Sequence, residues 1–155
     1  MQSQKHLQWR NRIKKNCERP DCFICRTGGK GNCNSESITY NVICGDDNCN
    51  HRNIYNGETA YNGYTRGKEH EQNLRGENRC SPLWRHSREE HGERKQEFVM
   101  NVTGTFKNDT MLRQIKEAVN IKYTSIDNVM NTRAEWNMPR VPHAHIQEAS
   151  LNAQV

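Results

Sequence analysis

The sequence has little with which to build an apolar core. Only 32% of its 155 residues are hydrophobic, phenylalanine occurs three times, and the mean hydropathy is −1.13. A chain this polar is either partly disordered or held together by something other than apolar burial. No apolar run approaches the ~18 residues needed to cross a bilayer, which excludes a membrane-spanning helix and a membrane partner of that kind. Met1 to Lys15 lacks the apolar stretch of a secretory leader, which points to an intracellular, reducing setting. Acidic residues are also scarce at this end. Between Met1 and Gly31 only Glu18 and Asp21 oppose Lys5, Arg10, Arg12, Lys14, Lys15, Arg19, Arg26 and Lys30. A basic arm of that density faces a polyanion, most often nucleic acid. The candidate contacts are Arg10, Arg12, Lys14 and Lys15, with Lys68 further on.

Cysteine is what the chain does have, at seven residues. Cys17, Cys22, Cys25 and Cys33 follow a C-x4-C-x2-C-x7-C spacing, interrupted by Pro20, Gly28, Gly29 and Gly31. The C-x2-C step lets two thiolates meet one ion from a tight turn. The glycines let the chain curl back with the fourth. Four thiolates in a tetrahedron make a closed structural Zn²⁺ site, and in a reducing compartment clustered cysteines read as metal ligands before disulfides. The irregular outer spacings leave open an exchange of one ligand with Cys44 or Cys49. These two bracket a turn as C-x4-C and are candidates for a second Zn²⁺, with imidazoles drawn from His51, His86 and His91.

The periodicity predicts an α+β fold. Ser37 to Cys44 alternates like a strand, Gly45 to Asn48 is a turn by composition, and Asn53 to Gly57 is a second strand, giving a hairpin. A helix is expected over Tyr61 to Arg75 with Asn62 as N-cap, placing Arg66 and His70 on one face. Ser81-Pro82 starts a further helix that stops at Gly92. Phe98, Met100, Val102 and Phe106 keep the period of two of a strand with one buried face. Asn108 or Asp109 then caps a helix from Thr110 to Tyr123, with Leu112, Ile115, Val119 and Lys122 as its stripe, Met111, Ala118 and Ile121 beside it, and Glu117 nearly opposite Ile115 and Val119. Residues 1–16 are read as the arm, 17–36 as a Cys-rich zinc module, 37–142 as the main domain and 143–155 as a loose tail.

Taken in order, Ile38-Thr39-Tyr40, Tyr55-Asn56-Gly57-Glu58-Thr59 and Arg66-Gly67-Lys68-Glu69-His70 resemble the motifs of a GIY-YIG nuclease domain. More narrowly, the chain is similar to the GIY-YIG endonucleases attached to reverse transcriptases of Penelope-like retroelements. Thr27-Gly28-Gly29-Lys30-Gly31-Asn32-Cys33, Ser81-Pro82-Leu83-Trp84-Arg85-His86, Arg113-Gln114-Ile115-Lys116-Glu117-Ala118 and the Cys44/Cys49 pair share that likeness. The resemblance covers residues 17–142. It implies a small three-stranded antiparallel sheet flanked by about three helices, beside the N-terminal Cys-rich zinc module. It implies a catalytic set of Tyr40, Tyr55, Arg66, His70 and Glu117, with Glu117 as the Mg²⁺ ligand. Asn131 falls where the family often places an asparagine and is grouped with the nucleic-acid contacts. His86 falls either on a further active-site position or, with His91, among the zinc ligands. Two letters depart from the pattern: the first motif lacks its glycine, and Asn56 puts a polar side chain where an aliphatic one is usual.

The residue types suit the implied chemistry. Phosphodiester hydrolysis needs an activated water, relief of charge at phosphorus and help for the leaving group. Tyr40 is expected to act as general base with its pKa lowered by a neighbour such as His70, Arg66 to bind phosphate oxygens, and one Mg²⁺ on Glu117 to stabilise the leaving oxygen. The implied function is nicking of target DNA for a retroelement, in the nucleus, with a reverse transcriptase in the same polyprotein as partner. The alternative is a non-catalytic, zinc-stabilised nucleic-acid-binding module on a decayed nuclease scaffold.

Overall fold

The computed structural model describes residues 17–92, 94 and 96–132. Candidate contacts Arg10, Arg12, Lys14 and Lys15, and the tail 143–155, lie outside the described residues. Within them are three strands, β1 (Ile38–Cys44), β2 (Ile54–Thr59) and β3 (Phe98–Thr105), in one antiparallel sheet of order β2-β1-β3. Four helices accompany the sheet: α1 (Phe23–Thr27), α2 (Gly63–Arg75), α3 (Pro82–His91) and α4 (Thr110–Tyr123).

Polar side chains fix the helix starts. Asn62, Ser81 and Asp109 accept from the backbone N–H three residues on, at Thr65, Trp84 and Leu112, and Pro82 occupies the first turn of α3. Each cap satisfies a donor that the helix leaves unpaired. α1 has five residues, too few to show a helical period, and escapes the sequence reading for that reason.

The core is one cluster. Phe23 and Ile24 from the turn between Cys22 and Cys25 lie in it with Ile38, Tyr40 and Val42 of β1, Leu83 of α3 and Phe98 and Met100 of β3. Backbone approach is close. A Cβ on Gly29 would lie 1.8 Å from the Met100 carbonyl oxygen, and one on Gly67 would lie 2.9 Å from Phe23 Cβ. Thus α2 rests directly on the Cys-rich segment through Gly67, the residue between Arg66 and Lys68.

β1 carries Ile38, Tyr40, Val42 and Cys44 on its buried face, as alternation requires. β3 breaks its period: Thr39 pairs with Gly104 but Tyr40 with Val102, so Thr103 is an extra residue. The outer edge of β2 is covered by residues 127–131. Arg52 N–H donates to the Asp127 carbonyl, Ile54 N–H to that of Asn128, and Met130 N–H to that of Ile54. Asn131 completes the run with its side chain, accepting from Asn56 N–H at 2.9 Å and donating to the Asn56 carbonyl at 2.7 Å.

The inward face of α4 is rotated from the apolar stripe of the sequence reading. Arg113, Ala118 and Ile121 are buried, whereas Leu112 and Met111 are about half exposed, at 50% and 51%. The cause is an ion pair. Arg113 Nε donates to the Glu58 carboxylate on β2, and its Nη1 to Ser37 Oγ at 2.7 Å. Glu117, one turn beyond Arg113, lies beside that face and is partly buried.

Candidate functional site

Tyr40 sits at the centre of the sheet, fully buried. It pairs with Gly57, and a Cβ at Gly57 would lie 2.5 Å from the Tyr40 Cζ and hydroxyl oxygen. Glycine is therefore what lets the ring lie over β2. Arg66 Nε donates to the Tyr40 hydroxyl oxygen at 2.8 Å, and His70 Nε2 lies 3.0 Å from the same oxygen. The four-residue spacing on α2 delivers both groups to one atom. Tyr55, two residues before Gly57, brings its ring centroid to 6.3 Å from Tyr40 and 5.8 Å from His70. Arg66 Nη1 also donates to Glu69 at 2.6 Å, which fixes the guanidinium plane.

The electrostatics differ from the sequence expectation. The Tyr40 pKa is not lowered. Burial pushes its hydroxyl well above the ordinary phenol range, Tyr55 and Glu117 add to this, and the Arg66 charge opposes it without winning. His70 is held down to about 3, first by burial and then by Arg66. Its imidazole is neutral at physiological pH, and in the tautomer protonated at Nδ1 its Nε2 accepts the Tyr40 proton while Arg66 donates to the same oxygen. The half-buried Glu117 carboxylate is near enough to act on Tyr40 electrostatically.

The His70 shift has a consequence for stability. Its pKa in the fold, about 3, lies below the ordinary 6.5. Between those values the unfolded chain binds more protons than the folded one. The contribution is thus complete above about 6.5 and is lost as pH falls through that window. Lowering the pH from about 7 to about 5 should destabilise the wild type by up to about 2 kcal/mol more than His70→Gln. Urea midpoints with excess zinc would measure it, and equal losses in the two proteins would refute the linkage.

Two further groups of side chains converge. The sulfurs of Cys17, Cys22, Cys25 and Cys33 all lie within 4.8 Å of one another, as do the ligand atoms of Cys44, Cys49, His86 and His91. A zinc tetrahedron with Zn–S of ~2.3 Å and Zn–N of ~2.0–2.1 Å has edges of ~3.8 Å between sulfurs, ~3.5 Å between sulfur and nitrogen and ~3.3 Å between nitrogens. In the first group Cys17–Cys25 and Cys25–Cys33 are 3.5 and 3.7 Å. In the second, Cys44 Sγ–His91 Nε2 is 3.4 Å, Cys49 Sγ–His86 Nε2 3.5 Å and His91 Nε2–His86 Nε2 3.3 Å. Burial pushes the Cys22 and Cys44 thiols up to about 11, so a cation between the ligands would favour their thiolate forms, whereas hydrogen bonds hold Cys17 down to about 6. Both groups could hold Zn²⁺. Behind the second, Asp46 lies 3.5 Å from His91 Nδ1, the carboxylate that commonly orients a metal-bound imidazole.

The two open assignments close here. Cys44 and Cys49 belong to their own group and exchange nothing with the first. His86 stands with them and not beside Tyr40. His51 is exposed and its Nδ1 is 3.1 Å from Glu90. Two of the residues grouped with the nucleic-acid contacts have partners within the chain. Asn131 is buried, and both ends of its amide are taken by the Asn56 backbone, so it shapes β2. Lys68 Nζ is 3.1 Å from Asp21 and 3.2 Å from the Tyr64 hydroxyl, tying α2 to the Cys-rich segment. Asn56, the polar departure in the second motif, is buried but answered: its Nδ2 donates to Thr124 Oγ1 at 3.0 Å.

Arg113 was missed by the sequence reading. A buried arginine on an otherwise amphipathic helix carries no periodic signal. Among the described residues no helix is long and apolar enough to cross a membrane. Comparisons of the chain with protein-family models, with curated proteins and with solved structures find no match.

Proposed function

We propose that this chain is a metal-dependent DNA endonuclease of the GIY-YIG type, hydrolysing one phosphodiester bond at the Tyr40 hydroxyl. The observation that carries the reading is the convergence of Arg66 Nε and His70 Nε2 on that oxygen, at 2.8 and 3.0 Å. In this scheme Tyr40 is a relay rather than a standing phenolate. It passes its own proton to His70 Nε2 only as it takes one from the attacking water, so the imidazolium that burial and Arg66 disfavour forms with the attack and not before it. Arg66 keeps its charge beside the Tyr40 hydroxyl and would meet the phosphate oxygens, where fixed positive charge lowers the barrier most. Tyr55 packs against both Tyr40 and His70 and holds the ring that must not turn.

Glu117 is the residue that would hold Mg²⁺. One partly buried carboxylate suits an ion that keeps most of its water. When bound, the ion would neutralise charge on the leaving oxygen. The two Cys-containing groups serve the fold. The likeness to the Penelope-type endonucleases gives the biological setting: nicking of target DNA to prime reverse transcription, in the nucleus, beside a reverse transcriptase.

The test is nicking of supercoiled plasmid with and without Mg²⁺. Wild type should nick only with the ion, and Glu117→Ala should lose at least about a hundredfold in rate. Equal residual nicking in both would mean a contaminant and would remove the enzyme reading. DNA binding without any nicking would favour the non-catalytic module.

A further inference from the structure

On the far side of β2 from β1 lies a cavity of about 390 Å³, between α3, the chain before β2 and residues 126–132. Arg52, Arg85, Ile126, Met130, Asn131 and Thr132 line it. Arg85 is the unusual member. It is half-buried, its Nε is shut off from solvent, and that Nε has no acceptor among the described residues. A buried donor left unpaired costs about 1–3 kcal/mol, and more when it is charged. The acids at the cavity wall do not answer it. Glu90 is held by His51 at 3.1 Å and Glu89 lies 3.8 Å from Arg52.

Arg85 is also held in direction. It precedes His86, whose Nε2 belongs to the Cys44–Cys49–His86–His91 group, so a metal held there would restrain this end of α3. Arg85 lines the cavity with no ion pair among the described residues, and its terminal N–H groups suit an oxyanion that accepts two parallel bonds. Arg52 adds a second guanidinium at the rim, its side chain 57% exposed. The other wall, from Ile126, Val129 and Met130, is apolar. A bare anion would leave this wall uncovered, and the volume exceeds what a bare phosphate needs. A phosphate with its sugar uses both walls. Asn131 joins the cavity to the backbone of Asn56, the residue after Tyr55.

We propose that this cavity is a subsite for one phosphodiester group and its sugar from a nucleic-acid strand, with Arg85 as the bidentate anchor and Arg52 at the rim. It deepens the endonuclease reading and rests on it for the choice of a strand as ligand. The subsite would hold the strand across β2 from the reacting tyrosine.

The experiment is anisotropy of a labelled DNA duplex on the full chain, without Mg²⁺, over a salt series. Arg85→Gln should weaken binding about three- to tenfold and flatten the slope of log affinity against log salt by about one, the mark of one lost phosphate contact. Because Arg85 adjoins a metal ligand, zinc content is measured alongside. Ile126→Glu, at a position already 62% exposed, puts a carboxylate at the mouth without disturbing α3 and should weaken binding similarly. Unchanged affinity and slope in both variants would overturn the subsite. So would inorganic phosphate that binds wild type through Arg85 while the variants still bind DNA normally, because the source would then be free phosphate. Weakened binding in a chain that never nicks would keep the subsite and sink the nuclease. Normal nicking with unchanged binding in the variants would do the reverse.

Discussion

Replacing Cys33 with serine is expected to abolish cooperative folding and, with it, the tyrosine site. Cys33 is fully buried and its sulfur lies 3.7 Å from that of Cys25. A structural zinc contributes about 10–16 kcal/mol in small metal-dependent domains at neutral pH. A whole domain is stable by only about 5–15 kcal/mol, and a chain with 32% hydrophobic residues has no surplus. The path to the site is short. Phe23 and Ile24, inside the Cys22–Cys25 turn, share the core with Tyr40 and Met100. Phe23 then meets Gly67, and Arg66 and His70 sit on the same helix to either side. Zinc analysis and near-ultraviolet circular dichroism through a thermal ramp would measure the loss. Cys80→Ser, at an exposed cysteine outside both groups, should behave as wild type. A Cys33→Ser protein melting at the wild-type midpoint would show that the core stands without that metal.

Under the proposed endonuclease reading, Arg66→Lys is expected to lower the nicking rate by about a hundred- to a thousandfold while leaving the fold intact. Arg66 serves two partners at once, the Tyr40 hydroxyl through Nε and Glu69 through Nη1, and has further N–H groups for a phosphate. An ammonium is a single point of charge and cannot hold that fork. Stability should change by only about 1 kcal/mol, because the residue is partly exposed and Tyr40 keeps His70. Single-turnover nicking at saturating protein separates the chemical step from binding. A rate within threefold of wild type would mean that Arg66 is only a structural partner of Tyr40.

These outcomes bear on residues that the sequence exposes unequally. The cysteines are legible because metal spacing is local: a C-x2-C turn says nearly the same thing in any fold. The caps at Asn62, Ser81 and Asp109 are legible for the same reason. The pairing of His86 and His91, rather than His51, with Cys44 and Cys49 is one possibility in the sequence, and it depends on how α3 lies against the hairpin. The inward face of α4 is misjudged because apolar periodicity assumes that the buried stripe is apolar. Arg113, paired with Glu58 and Ser37, outweighs Leu112 and Met111 there. The Tyr40 pKa goes the other way from expectation since burial is a property of the whole core, which no motif records. Asn56 looks like damage in a one-dimensional reading, and its partner Thr124 lies 68 positions away.

The Asn131 side chain has one more implication, for shortened versions of this protein. β2 is an edge strand, and residues 127–131 occupy the hydrogen-bonding groups along its open side, Asn131 doing so with an amide that imitates a peptide. A chain cut before Asp127 would keep every proposed catalytic residue and still present a bare strand rim. Such a rim is a template for sheet-to-sheet aggregation between molecules. Insolubility of that truncation would then report an uncovered edge, with the catalytic groups themselves unaltered.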